Sequence, residues 1–98
     1  MIEAEIERRV VKYCNDHKLL TYKFTSPSHR GVPDRVIIGS GRVLFLELKQ
    51  AGKKPTPLQE REIRRINQFA ASETVVARWA AGLDEALNVI RQVFGSPP

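Results

Sequence analysis

The run Val43-Leu44-Phe45-Leu46-Glu47-Leu48-Lys49 constrains this chain more than any other stretch. Its apolar residues occupy both alternating faces until the C-terminal end, so as a strand it has to be covered on both sides and stand inside a sheet. Arg35 to Ile38 is a second β-rich run, and Gly39-Ser40-Gly41-Arg42 between the two predicts a hairpin. Around this pair, periodicity predicts a helix from Glu3 to about His17, with Ile2, Ile6, Val10 and Tyr13 as its apolar stripe. A short strand follows over Leu19 to Phe24. After the hairpin come a helix from Leu58 to about Ala71, with Ile63, Ile66 and Phe69 or Ala70 inward, and a strand over Thr74 to Trp79. A last helix runs from Leu83 to Phe94, with Leu87 and Ile90 inward and Gly95 as its C-terminal cap. Helix, three strands, helix, strand, helix is a mixed α/β order: a meander, then one crossover helix returning to the sheet.

Ninety-eight residues amount to one domain spanning positions 1–98, with room for one modest core. With 42% hydrophobic and 28% charged residues, the composition is that of a globular chain. No apolar run nears the ~18 residues of a membrane span, and Met1-Ile2-Glu3-Ala4-Glu5 is too acidic for a secretory signal. Cys14 stands alone, which excludes an internal disulfide, and no Cys or His cluster offers structural zinc ligands. These features lead us to expect an intracellular, cytoplasmic protein without a membrane partner. Loops are expected at Thr25–Pro33, Gly39–Gly41 and Ala51–Pro57, and the Pro97-Pro98 tail is expected to fray. Sixteen Lys and Arg against eleven Asp and Glu leave a charge of +5, which favours a polyanionic partner without identifying one.

The end of the central run carries the chemistry. Glu47 and Lys49 share one face, which by itself describes a strand emerging into solvent as readily as a site. Asp34 adds a second carboxylate. It follows Pro33 at the start of the preceding strand, and antiparallel pairing with arms of four residues around a four-residue turn brings it beside Glu47. Two carboxylates and an ammonium then meet at one sheet edge. Close carboxylates repel unless a cation lies between them, and oxygen ligands suit Mg²⁺ or Mn²⁺.

Pro33-Asp34, twelve residues, then Glu47-Leu48-Lys49 resembles the PD-(D/E)xK nuclease signature. The flanking Arg30-Gly31-Val32-Pro33-Asp34-Arg35-Val36-Ile37 and Lys53-Lys54-Pro55-Thr56-Pro57-Leu58-Gln59 are similar to the VRR-Nuc branch, the virus-type replication-repair nucleases. The likeness runs from Glu3 to about Leu87. It implies a restriction-endonuclease-like αβββαβ core, a mixed sheet flanked by helices, with a C-terminal helix. It further implies a metal-dependent DNA endonuclease in which Asp34, Glu47 and the main-chain carbonyl of Leu48 hold the cation and Lys49 acts on the attacking water. The same resemblance places an N-terminal helical Glu and a Gln near the metal. Glu3, in Glu3-x-x-Ile6, fits that position better than Glu7, which stays in reserve. Gln59 has two readings: with Thr56 and Pro57 it forms a helix-capping box, while the resemblance sets it beside the carboxylates. Standalone relatives resemble Holliday-junction resolvases, which implies branched DNA such as four-way junctions, and a viral or prophage origin.

His29 and Arg30 in the loop before Asp34, Arg35 after it, and Lys53 and Lys54 beyond Lys49 are candidate phosphate contacts, or solvated loop charges. Trp79 ends a core strand and reads as packing. Cys14 reads as a reduced, partly buried small hydrophobe, and His17 as a helix-terminal residue without chemistry. The last helix, with Leu83, Leu87, Ile90, Val93 and Phe94, carries more apolar residues than one stripe requires, which suggests a homodimer. The competing reading of the whole chain is a non-catalytic nucleic-acid-binding or assembly module on the same fold.

Overall fold

Three residues spaced four apart, Ile6, Val10 and Cys14, are fully buried and fix one side of the first helix, α1 (Glu3–Asp16). The structure, a computed structural model, describes residues 1–95, so the Pro97-Pro98 tail lies outside it. The expected stripe shifts by a fraction of a turn. Ile2 precedes the first turn and is 64% exposed, while Tyr13 is only partly buried and stacks on His17 at 3.9 Å. His17 closes the helix: its backbone N–H donates to the carbonyl oxygen of Tyr13 at 3.0 Å, and its Nδ1 lies 2.8 Å from the same oxygen.

The strands are β1 (Leu20–Lys23), β2 (Arg35–Gly39), β3 (Arg42–Lys49) and β4 (Val75–Ala81), and they lie side by side in that order. β1, β2 and β3 are antiparallel neighbours, whereas β4 runs parallel to β3. A parallel return demands a crossover, supplied by the second helix, α2 (Pro57–Ala70). The β2–β3 turn is tighter than expected. Gly39 and Arg42 pair with each other, which leaves Ser40 and Gly41 as a two-residue turn with φ of 50° and 74°. Both values are positive, as a turn matched to the strands' right-handed twist requires. The register is unchanged, because Ile38 still faces Val43.

Each face of β3 has its own cover. Leu44, Leu46 and Leu48, with Ile37 of β2 and Ala80 of β4, pack against α1 and against Ala86, Val89 and Ile90 of the last helix, α3 (Leu83–Phe94). On the opposite face, Ile63 of α2 and Ala77 of β4 are buried. Asn67 ties α2 to the outer edge of β4: its carboxamide accepts from the Ala77 N–H at 2.8 Å and donates to the Ala77 carbonyl at 3.0 Å. Phe69 is 82% exposed, so Ala70 takes the inward place at the end of α2. Leu83, Leu87, Val93 and Phe94 pack against the main core. The apolar surplus expected on α3 is therefore absorbed within the chain. Exposed apolar side chains stand instead on β1 and β2, where Leu20, Tyr22 and Ile38 occupy the part of the sheet that α2 does not reach.

Arg35 departs most from expectation. It pairs with Leu46, so it points toward α1 and is only 5% exposed, out of reach of a phosphate. Its guanidinium lies 3.4 Å from the Glu7 carboxylate and donates to Thr21 Oγ1 at 3.3 Å, while its Nε has no partner among the described residues. A buried cation depends on its counter-ion more than the ion pair as a whole stabilises the fold. Glu7→Ala should accordingly cost about 2 kcal/mol, less than the ~3–5 kcal/mol of a fully buried pair because Glu7 is partly solvated. Adding Arg35→Met should recover stability to within ~1 kcal/mol of wild type, since an apolar side chain replaces the orphaned charge. Thermal denaturation of the two variants checks both, and an unaffected Glu7→Ala would show that the pair contributes nothing.

Candidate active site

The hairpin register places Asp34. Arg35 faces Leu46, so one step further along the ladder Asp34 stands across from Glu47, on the face opposite the leucines. Its carbonyl accepts from the N–H of Phe24 at 2.7 Å, which fixes the backbone just where β2 begins. The preceding loop is pressed onto α2. Gly31 has φ of 85°, and a Cβ there would come within 2.8 Å of the Leu58 carbonyl oxygen, so no other residue fits this approach. His29 Nε2 lies 2.8 Å from the Glu62 carboxylate, a second staple between loop and helix.

Glu47 is 6% exposed, and around it gather the groups that the sequence singled out. Lys49 Nζ lies 3.8 Å from Glu47 Oε2, and Gln59 Nε2 donates to the same oxygen at 3.5 Å. Glu3 at the start of α1 is near enough for its charge to act on Glu47, whereas Glu7 is turned to Arg35. The two readings of Gln59 prove compatible. Its Oε1 accepts from the Thr56 N–H at 2.9 Å, and its own N–H donates to Thr56 Oγ1 at 3.2 Å. That completes the capping box and leaves the side-chain NH₂ aimed at Glu47. Leu48 contributes backbone. The Lys49 carbonyl is taken by the Gly82 N–H at 2.8 Å on the β4 side. Carbonyls alternate along a strand, so that of Leu48 points to the β2 side, past the last residue pair of that ladder.

Burial raises the Glu47 pKa from its ordinary 4.5 to about 7, and the neighbouring Asp34 charge adds to the rise. Lys49 works against it, and Glu3 reinforces it. The pocket thus holds more negative charge than Lys49 alone relieves, and its donors are all oxygen: a fit for a hard divalent cation. Among the described residues, no three Asp, Glu, His or Cys side chains form a ready cage. That is compatible with Mg²⁺, which is usually held by one or two carboxylates and keeps several waters. Arg30, Lys53 and Lys54 are exposed in the loops at this same end of the sheet. His29 is held by Glu62, so its place is that of a loop anchor rather than a free phosphate contact. Glu62 escaped the sequence reading, although Gln59, Glu62, Ile63 and Ile66 share one helical stripe, on which a lone acid among inward residues marks a buried partner.

Without a cation, the folded chain keeps a proton on Glu47 at pH values where the unfolded chain has released it. Stability in EDTA should therefore fall as pH rises from about 4.5 to about 7. The loss should be roughly 3 kcal/mol, at about 1.4 kcal/mol for each pH unit of that window. Glu47→Gln should flatten this slope, and an unchanged slope in that variant would assign it elsewhere.

No family model matches the chain. A protein named "Putative nuclease p44", from Acyrthosiphon pisum secondary endosymbiont phage 1, is 37% identical over 89 residues, covering 90% of this chain and 94% of the phage protein. Among solved structures, a VRR_NUC domain matches 94% of this chain and 97% of its own, with a TM-score of 0.80 and 19% identity. A VRR_NUC domain protein matches 95% of this chain and 88% of its own, with a TM-score of 0.69 and 23% identity. The structural likeness identifies the fold, and the near full-length sequence likeness identifies the kinship. The chain belongs to the family of that phage protein, on the αβββαβ fold of the VRR-Nuc domain.

Proposed function

We infer that this protein is a Mg²⁺- or Mn²⁺-dependent DNA endonuclease, acting on branched DNA such as four-way junctions. The observation that carries this reading is the meeting of Asp34, Glu47, Lys49 and Gln59 at one end of the sheet, beside loops bearing Arg30, Lys53 and Lys54. Asp34, Glu47 and the Leu48 carbonyl would hold the cation, with Glu3 at its periphery. When bound, such a cation lowers the pKa of water and neutralises a non-bridging phosphate oxygen. The chain's own groups do the rest. Lys49, with its Nζ beside the carboxylates, orients the attacking water and stabilises the charge that builds on the phosphoryl oxygens. Gln59 is neutral and fixed by its cap, so it can orient water or carboxylate without adding charge to a crowded site. Arg30, Lys53 and Lys54 take backbone phosphates, which gives affinity with little sequence preference. Two symmetric cuts in a junction need two centres, so the proposal includes a homodimer. The exposed Leu20, Tyr22 and Ile38 face is the apolar surface offered to the second copy.

Asp34→Asn and Glu47→Gln should each lower cleavage of a four-way junction by ~10³-fold or more, while DNA retention in a gel shift stays within a few-fold. Cleavage at the wild-type rate by either variant would remove the assigned site. Lys49→Ala should still bind the cation in calorimetry yet lose ~10²–10⁴-fold in rate. Comparing rates on duplex, flap, fork and four-way substrates with and without EDTA tests the substrate class. Light scattering that gives the mass of one chain, together with single-strand nicks only, would remove the dimer and leave the chemistry.

A further inference from the structure

One aromatic ring adjoins the site without a part in the chemistry above. The β3–β4 register sets Trp79 directly beside Glu47, and register partners in neighbouring strands point to the same face. Trp79 is half-buried on β4, an edge strand of the sheet, so among the described residues no further strand covers its far side. α2 forms the roof. Glu60, next to Gln59, joins Ile63, Arg64 and Trp79 around an open hollow of about 220 Å³. That is below the ~300–1,000 Å³ of sites for drug-sized ligands, and it suits one planar ring rather than a base pair. Its lining has the chemistry of a stacking platform: the Trp79 indole on the strand side, and the Arg64 and aliphatic Ile63 side chains on the helix side. The Glu60 carboxylate disfavours a phosphate there and can accept from the amino group of a base. A larger hollow, about 470 Å³, lies toward the opposite end of β4 among Arg42, Asn67, Glu73 and Gln92, away from the carboxylates.

We propose that the hollow formed by Trp79, Arg64, Glu60 and Ile63 binds a single unpaired nucleobase next to the phosphate that the cation site at Glu47 would engage. This rests on the nucleic-acid part of the function proposed above, and it narrows the substrate. A base enters the hollow most readily where pairing is broken or strained, as at a branch point, so the cut falls beside such a point.

Trp79 is the only tryptophan in the chain, so its fluorescence reports on its own stacking. In EDTA, where cleavage is suppressed, a short single-stranded dC oligomer and a forked duplex should quench this emission, and a blunt duplex should not. By anisotropy of labelled oligomers, Arg64→Ala and Trp79→Ala should weaken single-strand binding by about tenfold while blunt-duplex binding stays unchanged. Trp79→Phe should restore most of the loss, and it keeps the test open if Trp79→Ala fails to fold. Equal quenching by blunt duplex, or binding of single strands without quenching, would overturn the base site while leaving cation-dependent cleavage in place. Selective quenching by a protein that cuts no DNA with Mg²⁺ would instead support the base site and overturn the nuclease reading.

Discussion

The antiparallel pairing of β2 with β3 is the constraint on which the candidate site depends. Side chains alternate with a period of two, so a slip of one residue would turn Asp34 away from Glu47 and drive Arg35 off its pairing with Glu7. The Ser40-Gly41 turn holds this register through two consecutive positive φ values. The leucine face of β3 holds it again, because Leu44, Leu46 and Leu48 have to stay against α1 and α3. A turn and a core, two unrelated sources of free energy, select the same pairing. The polar cluster is a by-product of that selection, and its repulsion is carried by the surrounding fold.

α2 connects this cluster to the rest of the molecule. As a crossover helix it has to span β3 and β4, and its first turn lands above the end of β3 where Glu47 stands. Gln59 belongs to the capping box and to the carboxylate cluster at once. Glu62, one turn on, binds the loop that leads into Asp34, and Asn67 grips the edge of β4. The order of the helix thereby becomes the order of the site: fraying of its first turn would release Gln59 from Glu47 and from Thr56 together.

Much of this could be read from the chain because it rests on local rules. Period-two and period-four patterns gave the element order. The cap residues Thr56, Pro57 and Gln59 gave the start of α2, and Gly95 the end of α3. The misreadings share a different cause. Arg35 looks like a loop cation next to Asp34, but its neighbour in the ladder is Leu46, and only the sheet reveals that it points into the core. Ile2 matches a helical stripe yet precedes the first turn, and Phe69 stands one position off the stripe that Ile63, Ile66 and Ala70 complete. The apolar residues of α3 look surplus until Leu83, Leu87, Val93 and Phe94 are counted against a core that spans four elements.

The sequence by itself determined the α/β order, the hairpin register and the pairing of Asp34 with Glu47, since these follow from alternation and turn chemistry along neighbouring residues. Tertiary structure alone decided which carboxylates are buried and which charge answers which. Glu47 gains its raised pKa from burial and from Asp34 and Glu3, groups thirteen and forty-four positions away in the chain. Arg35 takes Glu7, and His29 takes Glu62. Trp79 comes to stand beside Glu47 only through the parallel return of β4. Desolvation and Coulomb energy depend on distance through space and on exclusion of water, and neither quantity exists until distant segments have packed.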